Sequence, residues 1–273
     1  MELCILKESE VIELVTIDLD GTLLDAKSQI SDANRHAISK CLAKKIKVVI
    51  TTGKNIFYVS KIVKTLGLVD MQVVSNGAAI VNAKMEPVKI LRIPKEFFLE
   101  VIRLSREHYK GLVLHCLNGF IYYEIYNPYF KYISGSGEKL TKINNIISDE
   151  IIENALMFTY AGIIGSNFYE LLVDKLENKL RISRGGVFLA DIFNLEAGKT
   201  NAIKKILEIY NINRENVLAI GDGENDIGLI KFAGKGVAMG NSFETVKNST
   251  DLVVSDNNNN GVAEAIYKYV LIK

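Results

Sequence analysis

Asp18 and Asp20 stand two positions apart where a short, β-branched apolar run, Val11–Ile17, gives way to Gly21-Thr22. In an extended strand, side chains two apart project to one side, while Leu19 between them projects to the other. Two convergent carboxylates repel unless a cation or a shared proton separates them. Asp222 and Asp226, in Gly221-Asp222-Gly223-Glu224-Asn225-Asp226, bring more negative charge behind another apolar run, Asn216–Ile220. Such an acidic set suits a hard cation with oxygen ligands. Mg²⁺ fits best, because it is usually bound by one or two carboxylates and keeps water and phosphate oxygens in its other positions. Thr52 offers a hydroxyl donor and Lys199 a point charge that neutralises phosphate. Acid, metal, hydroxyl and ammonium together suit phosphoryl transfer, where positioning and charge neutralisation dominate.

Each group alone has an ordinary explanation. An Asp-x-Asp-Gly is commonly a turn, Thr52-Gly53 is uninformative, and a lone lysine is usually a solvated helix residue. Gly198-Lys199-Thr200 resembles the end of a phosphate-binding P-loop, but that motif needs a glycine five residues before Gly198, where Phe193 stands. The functional reading rests on joint occurrence. Three of the four clusters directly follow an apolar strand, and in open α/β sheets ligands bind outside the carboxyl ends of strands.

The elements that must position these groups follow a rhythm. Val11–Ile17, Lys47–Ile50 and Gln72–Val74 read as buried strands, each followed by a polar loop. Ser31 is placed to cap a helix running to about Lys45, with Ile38, Cys41 and Leu42 on one face. A second helix carries Ile56, Val59, Ile62, Val63 and Leu66 and ends at Gly67. Strand, loop and helix recur after residue 190, with a helix over Lys199–Tyr210, strands at Asn216–Ile220, Gly236–Met239 and Leu252–Val254, and a closing helix over Val262–Val270. This is the pattern of a parallel sheet covered by helices. The stretch between, residues 84–189, holds most of the aromatics and reads as an inserted α+β domain between core segments 1–83 and 190–273. Its Tyr122–Tyr132 run is expected to form that domain's core, with one or two rings toward the substrate.

Composition bounds the rest. The chain has 273 residues, 48% hydrophobic and 24% charged, as ordinary globular proteins do. A net charge of +1, from 33 basic and 32 acidic residues, announces no nucleic-acid partner. Cys4, Cys41 and Cys116 fit no disulfide framework and no zinc spacing, so a reducing, cytoplasmic setting is expected. Glu2, Lys7, Glu8 and Glu10 argue against a secretory leader, and no apolar run reaches membrane-spanning length. His36, His108 and His115 lie in no motif, and His36 is expected at the surface.

These residues together resemble the haloacid dehalogenase superfamily, and within it the Cof-like phosphatases with a type IIB cap. Asp18-Leu19-Asp20-Gly21-Thr22-Leu23-Leu24 is similar to the first family motif, Thr52-Gly53 to the second, Lys199 to the third and Gly221–Asp226 to the fourth. Val237–Asn241 and Gly261-Val262-Ala263 also read like the family. The resemblance implies a Rossmann-like α/β core with an inserted α+β cap that sets specificity. It implies that Asp18 attacks phosphorus to give an aspartyl phosphate, and that Asp20 protonates the leaving oxygen and then activates water. Mg²⁺ would be held by Asp18, Asp222 and the backbone carbonyl of Asp20, with Asp226 orienting Lys199 or a metal-bound water. Thr52, Gly53, Lys199, Asn76 and Asn225 are the expected substrate-binding residues. Lys54 stands where many relatives carry Arg and Thr200 where many carry Gly, both expected clear of the nucleophile and metal ligands. The implied substrate is a small phosphorylated metabolite such as a sugar phosphate, handled by a monomer or weak homodimer. The alternatives are a phosphosugar mutase on the same fold and a phospho-accepting regulator that does not turn over.

Overall fold

The computed structural model describes residues 11–134, 138–185 and 187–271. Cys4 and the charged residues Glu2, Lys7, Glu8 and Glu10 lie outside the described residues.

Thirteen strands run in chain order among the described residues: β1 (Leu14–Ile17), β2 (Lys47–Ile50), β3 (Gln72–Val74), β4 (Ala79–Val81), β5 (Pro87–Ile90), β6 (Leu112–Cys116), β7 (Ile121–Tyr123), β8 (Leu140–Lys142), β9 (Ala155–Ala161), β10 (Leu180–Arg184), β11 (Leu189–Asn194), β12 (Val217–Gly221) and β13 (Lys235–Ala238). The core sheet is parallel, in the order β13-β12-β1-β2. Period 2 divides its side chains between two covered faces, which is why the strands read as unbroken apolar runs. Val15, Ile17, Val48, Ile50, Leu218 and Ile220 pack with Ile38, Val59 and Val262 from one helical layer. Leu14, Val49, Val217 and Ala219 pack with Ile203, Ile206 and Leu229 from the other. Beside β2 lies β3, joined through the Thr51–Val73 bridge and through Gln72. The buried Gln72 amide accepts from the Ile50 N–H at 2.7 Å and donates to Asp70 and Val48 carbonyls, so a side chain completes the ladder.

The helices end where local chemistry dictates. Ser31 caps Asp32–Ala43 by accepting from Asn34 N–H, and Asn55 caps Ile56–Leu66 by accepting from Tyr58 N–H. Gly67 closes the second helix in the left-handed region, at φ 66°. Leu252–Val254 makes only an isolated bridge from Val253 to Ala238 rather than a strand, and the closing helix is α over Gly261–Ile266 and π over Tyr267–Leu271.

The inserted domain is a six-stranded mixed sheet, β10-β11-β9-β6-β7-β8, parallel only between β7 and β8. The helices Lys95–Glu107 and Asn167–Leu176 cover one face, where Phe98, Val101, Leu114, Phe158, Phe168, Leu172 and Ile192 form its core. The opposite face carries His115, Met157, Thr159 and Asp191 and looks onto the core domain; Met157 and Phe193 pack into the core cluster itself. Strand pairing crosses both expected domain limits. β5 lies beyond residue 83 but pairs with β4, and β11 runs from residue 189 to 194 but pairs with β9 and β10.

Candidate active site

The carboxyl ends of β1, β2 and β12 converge with the N-terminus of the helix Lys199–Tyr210. At their meeting point Lys199, 3% exposed, donates to Asp18 Oδ1 at 2.7 Å and to Asp226 Oδ1 at 2.8 Å. The second oxygen of Asp226 accepts the backbone N–H groups of Asp222 and Gly223, at 3.2 and 3.0 Å. Both Asp226 oxygens are thus committed, and its work is to hold Lys199 and the loop that carries Asp222. Asp222 Oδ1 accepts from the Thr22 hydroxyl at 2.7 Å. Gly21, at φ +77°, lets this loop close, since a Cβ there would stand 2.3 Å from Asp222 Oδ2.

Carboxylate oxygens of Asp18, Asp222 and Asp226 all lie within 4.8 Å of one another. One ammonium among three carboxylates leaves two negative charges uncompensated when all are ionised, and burial adds to the cost of ionising them. Burial pushes Asp18 well above the ordinary carboxylate range; Lys199 opposes this, while Asp226 and Asp222 add to it. Burial and Asp226 push Asp222 up to about 6, against the Thr22 hydrogen bond. Burial alone would depress Lys199, but Asp18 and Asp226 hold its ammonium above the usual lysine range. A hard divalent cation fits this all-oxygen donor set and cancels its charge. The free oxygens for it are on Asp18 and Asp222.

Above these groups lies a cavity of about 640 Å³ between the two domains, into which Asp18, Asp20, Thr52, Gly53, Lys199, Asp222 and Asn225 all open. Thr52 is buried and accepts the Lys54 N–H at 3.1 Å. Asp20 is half-exposed, and its carboxylate meets Lys54 Nζ at 3.3 Å. Lys54 was expected clear of the metal ligands and is not: the chain turns at Gly53 and brings it over Asp20. Thr200 is turned toward Gly228, where a Cβ would come within 2.9 Å of its hydroxyl. Asn76 does not border this cavity. It is 2% exposed, donates to Asp191 Oδ2 at 2.7 Å and accepts from Asn225 at 3.1 Å. It ties the inserted domain to the core rather than reaching the large cavity. Its neighbour Gly77, at φ +86°, allows contact with Gly198, whose carbonyl would be 2.5 Å from a Cβ.

The inserted domain contributes groups that no motif announced: His115, Thr159, Asp191, Glu138 and Tyr132. Asp191 lies opposite Thr159 in the β11–β9 register, and His115 lies opposite Met157, two residues away on the same face. A polar residue in an apolar strand (His115 in Leu112–Cys116, Thr159 in Ala155–Ala161, Asp191 in Leu189–Asn194) was the available signal. His36 is exposed and Cys41 buried, as the sequence suggests. Phe130 is in the inserted domain's core, Tyr132 borders the cavity and Tyr126 is exposed.

Among the described residues no helix is long and apolar enough to cross a membrane. Comparison with known proteins agrees with the geometry. The chain is 30% identical over 266 residues to the 5-amino-6-(5-phospho-D-ribitylamino)uracil phosphatase YcsE of Bacillus subtilis, covering 97% of this chain and 98% of that one. It is 27% identical to a chloroplastic endoribonuclease of Arabidopsis thaliana, but spans only 45% of that protein's length. A phosphatase of the haloalkanoate superfamily from Bacteroides thetaiotaomicron superposes over the whole of both chains with a TM-score of 0.86 at 25% identity. A subclass IIB sugar phosphatase, 22% identical, shares the fold with a TM-score of 0.84 over 95% of this chain and all of its own. The model of the haloacid dehalogenase-like hydrolases matches residues 15–266. The chain therefore belongs to the haloacid dehalogenase-like hydrolases, as a phosphatase of that family.

Proposed function

We propose that this protein hydrolyses small phosphate monoesters, sugar phosphates or related metabolites, through a phosphorylated Asp18. The observation that carries this reading is the buried Lys199 shared between Asp18 and Asp226, with Asp222 alongside, beneath a cavity large enough for a metabolite. Asp18 attacks phosphorus with one carboxylate oxygen while the other faces the cation, and the ester bond breaks as Asp20 gives its proton to the leaving oxygen. The half-exposed Asp20, steadied by Lys54, then takes a proton from water, which attacks the aspartyl phosphate and restores Asp18. Lys199 and the Thr52 hydroxyl offset the charge on the phosphoryl oxygens. Gly53 keeps that loop free of a side chain beside the phosphate, and Asn225 orders the Asp222 loop through Asn76. Mg²⁺, held by Asp18, Asp222 and the Asp20 carbonyl, would neutralise the remaining negative charge. The inserted domain, contributing residues 84–189 in large part, covers the site, excludes water during phosphoryl transfer and selects the leaving group. The free, buried thiols Cys41 and Cys116 suit the cytoplasm, and a monomer or weak homodimer suffices for a site built within one chain.

The test is steady-state phosphate release from p-nitrophenyl phosphate and a panel of phosphorylated metabolites with Mg²⁺. Release that disappears in Asp18→Asn is the expected result. Isomerised sugar phosphate without release would make the protein a mutase, and a stable phosphoprotein without turnover would make it a regulator.

A further inference from the structure

We propose that His115 determines specificity: its Nδ1 accepts a hydrogen bond from a hydroxyl or amino group on the leaving portion of the substrate. This deepens the phosphatase reading above and rests on it.

Protons along one chain of contacts fix the tautomer of His115. Asp191 accepts from Asn76 through Oδ2 at 2.7 Å and from the Thr159 hydroxyl through Oδ1 at 2.6 Å. Thr159 has one proton, and Asp191 takes it. Toward His115, 3.0 Å away, Thr159 Oγ1 can therefore only accept, so the proton of the neutral imidazole sits on Nε2. Burial favours that neutral ring, pushing His115 down to about 4. Nδ1 is left with a bare lone pair. It is one of two buried side-chain polar atoms without a partner among the described residues, the other being Ser242 Oγ on the core domain. Buried polar groups are nearly always paired, so an orphan on a ring bordering the substrate cavity marks a place for a ligand atom.

Glu138, 8% exposed, and Asp191 present carboxylates to the cavity beside His115. Among the inserted-domain groups lining this cavity Glu138 and Asp191 are acidic and Arg184 is basic, while Lys54 from the core already serves Asp20 and Glu138. A leaving group bearing a hydroxyl or amino donor satisfies the bare Nδ1, whereas one without a donor leaves it unpaired. Thr159 and Asp191 act through His115 as positioning residues, by fixing which nitrogen carries the proton.

The experiment compares kcat/KM for ribitol 5-phosphate and for pentyl phosphate, which has the same carbon count and no free hydroxyl. It uses the full chain with Mg²⁺, and p-nitrophenyl phosphate reports the basic reaction. The wild-type ratio should favour ribitol 5-phosphate by roughly tenfold or more, the equivalent of one productive hydrogen bond. His115→Phe and the nearly isosteric Thr159→Val, which frees the histidine proton to move to Nδ1, should each cut that ratio about tenfold. His115→Asn, with an amide oxygen able to replace the Nδ1 acceptor, should retain part of it. If Phe at 115 fails to fold, the Thr159→Val ratio decides. A wild-type ratio near one, or a ratio unchanged in the variants, overturns this inference while p-nitrophenyl phosphate hydrolysis upholds the phosphatase. No phosphate release from any ester overturns both.

Discussion

The two domains meet at one cavity but build their sides of it differently. The core places its groups at strand ends, in loops whose residues are neighbours in sequence: Asp18 with Asp20, Thr52 with Lys54, Asp222 with Asp226. The inserted domain places His115, Thr159 and Asp191 in the middles of three strands, joined only by register across β6, β9 and β11. Loops after parallel strands can hold a charged constellation without disturbing the sheet. The middle of an antiparallel sheet is a rigid face on which single side chains can be exchanged without moving others. On the proposed reading the difference is a division of labour, with chemistry on the strand-end loops and recognition on the sheet face.

That division can be broken by experiment. Asp18→Asn should remove turnover by roughly 10⁴-fold or more with the fold intact by circular dichroism, because the proposed nucleophile has no substitute. Appreciable residual phosphate release would take the chemistry away from this loop. Lys199→Met should cost on the order of 10²–10³ in kcat. It also strands two buried carboxylates, so a loss of about 3–5 kcal/mol in urea unfolding is expected without metal. Asn76→Ala severs a direct hydrogen bond between the two regions, and kcat/KM should fall about tenfold. A fall in kcat matching that of Lys199→Met would show that the walls do not act separately.

The smallest effect sharpens the comparison through pH. His115 titrates near 6.5 when unfolded and near 4 in the fold, so the fold favours the neutral ring. Its contribution to stability is complete above about pH 6.5 and is lost as pH falls toward 4, by on the order of 3 kcal/mol in the limit. The difference in unfolding free energy between the protein and His115→Phe, measured at pH 7 and at 4.5, should shift in that direction. A difference that does not change with pH would remove the neutral buried imidazole from the cap face.

The core was legible because its signals are local. An apolar run ending in Asp-x-Asp-Gly, a Thr-Gly after the next strand, and Gly-Asp after another place their side chains through two or three peptide units, whatever lies elsewhere. The family resemblance implies a supporting role for Asp226, and its two committed oxygens supply a physical basis for that reading. Lys54 and Asn76 were less legible. Their partners Glu138 and Asp191 lie 84 and 115 residues away and arrive only when the inserted domain docks.

The amino-acid sequence by itself determined the order of strands and helices, the parallel core and the residues at its strand ends, because apolar periodicity and turn chemistry act over short stretches. Only the tertiary structure decided that Lys199 would be shared by two carboxylates from different strands, and that a histidine, a threonine and an aspartate from three strands would face the same space. Those contacts depend on register and domain docking, which set distances between residues tens of positions apart and leave no mark in their local spacing.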